Sequence, residues 1–225
     1  MKLAMDQKVL EAFYDIVSEN KKELYERIAA DRTRHLTVVV ENAHQDHNAS
    51  AILRSCECLG IQDVHIIEKD HEYTPQREIA RGAGNWVDMY QYGEGESPTK
   101  ACFEHLKKKG YQLCVTSPHA SKSIREIDLK KPIALVFGTE WTGVSQEAID
   151  CADELLRIPM YGFTESFNLS VSVAISMSYL RTKLEESDLH WKLSEEEQVR
   201  LKIAWCKSIL TNGEKIEERI RERFG

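Results

Sequence analysis

Apolar positions along this chain alternate between the spacing of amphipathic helices and short continuous runs rich in β-branched residues. Within residues 36–67, a β-branched run is followed by a helical segment that Gly60 ends and then by a second short run. This succession is typical of parallel strands joined by a right-handed crossover. Further strands are predicted at 86–90, 111–115 and 133–137. The pattern therefore predicts an α/β fold with a mostly parallel sheet.

The N-terminal residues carry a helical pattern. Apolar residues recur at helical spacing between Val9 and Val17, and Asn20 with Glu23 resembles a capping box. We expect that box to open a second helix, which runs to about Ala30. The N-terminus is therefore predicted to be a helical arm.

The C-terminal residues also predict helix. Ser194 and Glu197 form a second capping box, followed by a long amphipathic pattern that Gly213 interrupts. Together these patterns divide the chain into an N-terminal helical arm, an α/β domain and a C-terminal helical extension. Their predicted bounds are 1–35, 36–182 and 183–225.

The segment 158–180 differs from an ordinary amphipathic element. Ser166 and Asn168 follow a glycine turn, and the helix predicted at 169–180 is apolar or small on every side. Such a helix is expected to be buried on most of its circumference. Ser166 and Asn168 therefore stand at the start of a predicted core helix, where capping alone would explain them.

Composition favours a globular protein that stays in the cytoplasm. Hydrophobic residues make up 42% of the chain and charged residues 30%, and serines interrupt even the most apolar segment. The six cysteines are scattered, which is typical of reduced thiols in the cytoplasm. Cys56 and Cys58 are separated by one residue and lack further ligands nearby, so we expect no metal.

The net charge of −7 argues against general electrostatic attraction to nucleic acid. The acidic excess lies entirely in 36–180, and both ends are balanced. A polyanion would therefore need a local basic patch, with Arg181 and Lys183 as the weaker candidate. A solvated helix surface is the better explanation for either patch taken alone. The stronger candidate consists of Lys21, Lys22, Arg27, Arg32 and Arg34.

Two stretches carry candidate chemistry. Asn48 is predicted to cap a helix, and Arg54 lies among small and apolar residues, where an arginine needs a partner or an anion such as phosphate. Gly138 and Glu140 follow directly after a predicted strand, at the sheet edge where α/β proteins bind ligands. A plain turn, with Glu140 near a helix N-terminus, explains the second stretch equally well. A dinucleotide loop is rejected, because Val87 replaces the third glycine.

Three motifs occur in the order found in SpoU-type RNA ribose 2′-O-methyltransferases. They are NxxAxxR at 48–54, FGxExxG at 137–143 and IPMxGxxxSxN at 158–168. The chain resembles this family, and within it the tRNA guanosine methyltransferases that act on position 18 of the D-loop. The resemblance implies an α/β fold with a C-terminal deep trefoil knot.

The resemblance also implies S-adenosylmethionine as the cofactor. By motif position its pocket would be lined by Gly138, Ile158 and Phe167, with Thr116 at the end of the preceding strand. The family usually has leucine where Phe167 stands, so a reshaped apolar wall is expected. The reaction would be in-line methyl transfer to a ribose 2′-hydroxyl, without a metal.

Catalytic roles follow from the same resemblance. Arg54 would be the catalytic residue. Because arginine is a very poor base, we expect it to stabilise the developing alkoxide and to grip the adjacent phosphate. Asn48 would orient Arg54 or the ribose. The substrate would be positioned by Glu140, Ser166 and Asn168.

The family is dimeric, which implies a homodimer that meets through the helix 169–180 and completes each site across the interface. The helical arms would then contact tRNA through their local basic residues. Two alternatives remain open. One is the same chemistry on ribosomal RNA or at another tRNA position, and the other is a non-catalytic RNA-binding protein with the same fold.

Overall fold

A computed structural model of the protein describes residues 2–42, 46–68, 82–139 and 141–224. The chain divides into two compact units. One unit spans Arg34–Trp191, and the other joins the two ends of the chain, Met1–Thr33 and Lys192–Gly225. The N-terminal arm and the C-terminal extension therefore belong to one helical unit.

The Arg34–Trp191 unit is an α/β layer structure. Its described strands form one seven-stranded sheet in the order β3-β2-β1-β6-β4-β7-β5, and every pairing is parallel. The predicted parallel sheet is thus confirmed. The strands are β1 Leu36–Glu41, β2 Asp63–Ile67, β3 Asp88–Tyr92, β4 Gln112–Thr116, β5 Lys122–Ser123, β6 Ile133–Phe137 and β7 Glu154–Arg157. The helices are α3 Asp46–Cys58, α4 Pro98–Lys108, α5 Gln146–Cys151 and α6 Leu169–Glu185.

The central strands are rich in apolar residues because helices cover both faces of the sheet. All residues of β1, β2 and β6 are buried. Side chains of α3 and α6 form the core on one face, and those of α4 and α5 form it on the other. Since the strands are parallel, their carboxyl ends all meet at one edge of the sheet.

The helical unit contains α1 Lys2–Tyr14, α2 Glu19–Ala29, α7 Glu195–Ile209 and α8 Gly213–Phe224. Its core includes Phe13, Tyr25 and Trp205, whose aromatic rings are buried. Lys202, which is also buried, donates to Glu26 at 2.7 and 2.8 Å and joins α7 to α2. None of the helices in the described ranges is both long and apolar enough to cross a membrane.

The structure confirms one predicted helix start and corrects another. Ser194 and Glu197 form a capping box at the start of α7, as predicted. The Asn20–Glu23 box is wrong, because α2 begins at Glu19 after Ser18 and Asn20 is already helical.

Two boundaries within the α/β unit also differ from prediction. Asn48 lies in the first turn of α3, which begins at Asp46, so it is not the N-cap. The third strand begins at Asp88 instead of residue 86, because Trp86 ends the 3-10 turn Ala83–Asn85.

Helix α6 forms as predicted but is buried on one side only. Its core face includes Val173, Met177 and Leu180. Val171, Ile175 and Tyr179 form an exposed apolar stripe at a four-residue spacing, and each is 37–42% exposed. The expectation of burial around most of the helix is wrong for the single chain.

Candidate cofactor and catalytic site

A cavity of about 420 Å³ lies at the carboxyl edge of the sheet. The segments that follow β4, β6 and β7 converge to form it, which is where parallel sheets bind ligands. Its volume falls within the range of small-molecule sites. All four residues expected to bind the cofactor line this cavity: Thr116, Gly138, Ile158 and Phe167.

Backbone geometry makes glycine necessary at position 138. A Cβ atom there would lie 2.0 Å from the carbonyl carbon of Gly143 and 2.2 Å from the nitrogen of Val144. The loop folds this tightly because Thr139 and Gly143 exchange two backbone hydrogen bonds of 3.1 and 3.0 Å. Gly143 has a φ of 67°, which an L side chain rarely adopts. The loop therefore brings bare backbone to the cavity wall.

Asn168 connects the cavity to α3. Its side-chain oxygen caps α6 by accepting from the Ser170 and Val171 amides at 3.0 and 3.4 Å. Its side-chain nitrogen donates to Oδ1 of Asn48 at 3.2 Å. Ser166, two residues earlier, lines the cavity. The structure therefore brings Asn48, Ser166 and Asn168 to one place, and Asn168 both caps a helix and contacts Asn48.

Arg54 does not line the cavity. It lies on the exposed side of α3, opposite the buried Ile52, Leu53 and Cys56. Within the described ranges no hydrogen bond or ion pair of its guanidinium is found. Its side chain is exposed, so an anion can reach it. Glu140, the remaining predicted site residue, lies outside the described residues.

The sequence profile of the SpoU rRNA Methylase family matches residues 35–178. The chain belongs to this family. It is 36% identical over 205 residues to the tRNA (guanosine(18)-2'-O)-methyltransferase of Borreliella burgdorferi, covering 91% of this chain and 92% of that protein. The Thermus thermophilus protein of the same name is 34% identical over 70% of this chain and 80% of its own. A crystal structure of the Aquifex aeolicus TrmH/SpoU tRNA modifying enzyme aligns with a TM-score of 0.75 at 27% identity, over 86% of this chain and 98% of that one.

The cavity fits S-adenosylmethionine, the methyl donor of SpoU methylases. The close approach at Gly138 leaves backbone groups to face a ligand. Ile158, Met160 and Phe167 supply apolar walls, and the hydroxyls of Thr139 and Thr142 share a 2.7 Å hydrogen bond at the loop. When bound, the donor supplies an electrophilic methyl group.

Glu41, which the sequence patterns did not single out, holds the Gly138–Val144 loop in place. Its carboxylate is 1% exposed and lies at the end of β1. It accepts from the Ser145 amide at 2.6 Å, the Ser145 hydroxyl at 2.7 Å and the Thr99 hydroxyl at 2.7 Å. Ser145 is also the N-cap of α5, directly after the Gly138–Val144 loop. One buried carboxylate therefore joins this loop to β1 and α4.

Glu41→Gln is expected to lower both stability and cofactor affinity. If the glutamine turns its NH2 group toward Ser145, two hydrogen-bond donors face each other and a buried hydrogen bond is lost. Such a loss costs about 1–3 kcal/mol of stability. Urea unfolding and calorimetric titration with S-adenosylmethionine measure the two effects. Glu147→Gln, in the first turn of α5 and only partly buried, is the matched control. Unchanged affinity in Glu41→Gln would show that the contact does not position the loop.

Two members of the predicted basic patch have guanidinium groups engaged in contacts within the chain. Arg32 is 1% exposed, and its guanidinium lies 5.5 Å from the Trp205 ring. Arg34 forms ion pairs with Asp63 at 2.9 Å and Asp88 at 2.6 Å. The prediction is therefore wrong for both residues, because each guanidinium serves the packing of its own unit. Lys21, Lys22 and Arg27 stay at least partly exposed on α2.

The second basic candidate is also corrected. Arg181 pairs with Glu185 at 2.8 Å and lies 4.2 Å from the Trp191 ring. Lys183 donates to the backbone carbonyls of Arg125 and Ile127. These contacts hold the side chains within the unit, so they do not form an open phosphate patch.

Several cavity residues were missed by the sequence patterns. Pro118, His119 and Met160 line the cavity, and Trp141 stands at its rim with 92% of its surface exposed. They lie in loops after β4, β6 and β7, so the carboxyl-edge rule was the signal that would have found them. That rule selects loops but not individual residues.

Proposed function

We propose that this protein transfers a methyl group from S-adenosylmethionine to the ribose 2′-hydroxyl of a guanosine in tRNA, at position 18 of the D-loop. The observation that carries the proposal is the cavity at the carboxyl edge, with Ser166 in its wall and the Asn48–Asn168 pair beside it. The named relatives that span most of the chain support tRNA as the substrate.

The chemistry requires alignment of the hydroxyl with the methyl group and stabilisation of the charge that develops on oxygen. Arg54 supplies that charge stabilisation and holds the adjacent phosphate, since a guanidinium presents a planar fork of donors that matches phosphate. Asn48 orients the ribose or Arg54. Ser166, Asn168 and Glu140 position the substrate. No step needs a metal.

The direct test incubates the pure protein with labelled S-adenosylmethionine and unmodified tRNA, followed by digestion to nucleosides. We expect ribose-methylated guanosine, with the label mapped to position 18. Label at another tRNA position or only in ribosomal RNA would keep the chemistry and change the substrate. Wild-type protein that binds S-adenosylmethionine but methylates no RNA would overturn the proposal.

We further propose a homodimer that meets through α6. The exposed stripe of Val171, Ile175 and Tyr179 continues to Phe167 at the cavity, and such a contiguous apolar surface is typical of an interface. Arg54 lies outside the cavity of its own chain. In such a dimer we expect Arg54 of the second chain to reach the cavity, so that each site is completed across the interface.

Ile175→Asp is expected to convert the dimer to monomer at micromolar concentration and to abolish methylation. A carboxylate placed in an apolar interface loses its hydration without a partner. Sedimentation velocity measures the mass, and Ile175→Leu is the control that keeps the apolar contact. A wild-type monomer, or an active Ile175→Asp monomer, would contradict this dimer.

We also infer that the C-terminal part of the α/β unit is threaded as a deep trefoil knot. Support comes from the strand order, because β7 lies between β4 and β5 although it follows β6 in the chain. The three loops around the cavity come from the same region. A crystallographic chain trace through residues 112–185 tests the knot, and an unthreaded trace would refute it.

The remaining proposals concern location and RNA contacts. The six cysteines are free thiols, which favours the cytoplasm. Burial raises the pKa of Cys102 and Cys114 to about 12, so these two remain inert. Cell fractionation tests the location.

The N-terminal helical arm would contact tRNA through Lys21, Lys22 and Arg27. Alanine variants at these positions should weaken tRNA binding in a filter assay.

A further inference from the structure

A second cleft, of about 530 Å³, adjoins the cofactor cavity. It is formed by the edge strand β5, the 3-10 turn Ile124–Glu126 that follows it, and the chain after β7. Pro118, Ile158 and Met160 line both spaces. The rest of the lining comes from Ser123, Arg125, Glu126, Arg157, Pro159 and Tyr161. We call this space the flanking cleft.

Positive charge prevails in the flanking cleft, although the α/β unit as a whole is acidic. Its lining includes two cationic side chains, Arg125 and Arg157, and one carboxylate, Glu126. An oxygen of Glu126 accepts from the Ser123 amide at 2.7 Å and is thus directed at the backbone. Arg157 donates to the carbonyls of Ala120 and Ser121, which fixes its guanidinium in the wall.

Arg125 has a fixed backbone and an exposed side chain. Its amide donates to the Ser123 hydroxyl at 3.2 Å, and its carbonyl accepts from Lys183 at 3.4 Å. The side chain is exposed, and within the described part of the chain no ion pair of its guanidinium is found. A guanidinium presented from a rigid turn suits the bidentate recognition of phosphate.

Tyr161 supplies an aromatic face on the same cleft and is 84% exposed. Sequence-tolerant binding of single-stranded nucleic acid combines such a ring, on which a base stacks, with a cation that holds the phosphate. Arg125 and Tyr161 provide both groups within one cleft. Its shared wall with the cofactor cavity places any occupant next to the methyl donor.

We propose that the flanking cleft binds the nucleotide next to the one that is methylated, with its phosphate on Arg125 and its base against Tyr161. This inference rests on the proposed RNA methyltransferase function. It adds a substrate subsite on the α/β unit, apart from the arm residues, and requires the RNA to be unpaired at this point.

The test measures binding of unmodified tRNA to the full-length protein over a series of salt concentrations. Arg125→Ala should weaken binding about tenfold and reduce the slope of log K against log salt by about 0.7, the loss of one phosphate contact to a single strand. Tyr161→Ala should weaken binding about tenfold through lost stacking, with the slope unchanged. Calorimetry should give the wild-type affinity for S-adenosylmethionine in both variants.

Lys130→Ala is the matched control, since it removes an exposed charge nearby but outside the cleft. Thermal unfolding and cofactor binding establish that each variant is folded. Wild-type tRNA affinity and slope in Arg125→Ala would overturn the proposal, and so would a loss of cofactor affinity, which would assign Arg125 to the donor. The binding assay is independent of turnover. Failure of the methylation assay with normal tRNA binding would therefore refute the proposed function and not this subsite.

Discussion

Arg54→Ala is expected to lower kcat by at least about a hundredfold, the range seen when a group that stabilises transition-state charge is removed. The affinity for S-adenosylmethionine should stay within about twofold, because Arg54 does not line the cofactor cavity of its chain. Single-turnover methylation of tRNA and calorimetric titration of the donor measure the two quantities separately.

Arg54→Lys is the informative control for this prediction. Lysine keeps the positive charge but loses the planar fork, so a partial return of activity is expected if phosphate binding dominates. If Arg54→Ala lost cofactor affinity and turnover equally, the residue would have a structural role. An unaltered kcat would remove Arg54 from the catalytic machinery.

Gly138→Ala is expected to abolish measurable binding of S-adenosylmethionine. The added methyl would lie 2.0 and 2.1 Å from the carbonyl carbon and oxygen of Gly143, and backbone cannot move aside as a flexible side chain does. The loop must therefore shift into or away from the cavity. Because the clash lies beyond the end of β6, the sheet should still form. Calorimetry and far-ultraviolet circular dichroism measure binding and fold.

Gly93→Ala is the matched control for the glycine. A Cβ there meets its nearest atoms at 3.8–3.9 Å, which is ordinary contact, and the residue follows strand β3. It should bind the donor like the wild type. Binding of S-adenosylmethionine by Gly138→Ala at wild-type affinity would show that this loop does not form the cofactor wall.

Mixing the two inactive variants tests whether the site is shared between chains. If each site combines the cavity of one chain with Arg54 of a second, a heterodimer of Arg54→Ala and Gly138→Ala chains contains one intact site. Random exchange should then restore about a quarter of wild-type activity. No recovery, despite exchange shown by tagged chains, would place all catalytic residues in one chain.

The sequence was sufficient to locate the residues that line the cavity and the strands of the sheet. Two of the motifs located Gly138, Ile158 and Phe167, Thr116 was expected at the end of the preceding strand, and all four line one cavity. Strands such as β6 were readable because a buried parallel strand is a continuous apolar run between turns. Local chemistry also determined the Ser194–Glu197 capping box, whose partners are three residues apart.

Tertiary structure decided what depends on distant partners. In the sequence, Arg32 and Arg34 look like basic surface residues. In the fold, Arg32 packs against the Trp205 ring, and Arg34 forms ion pairs with Asp63 and Asp88. Glu41 gains its role only because Ser145, far along the chain, folds onto it. Helix α6 has an apolar composition on all sides, but only packing determined which stripe is left exposed. Composition and spacing show which chemical groups a segment contains. The burial and ion pairing of those groups depend on neighbours that only the fold brings close.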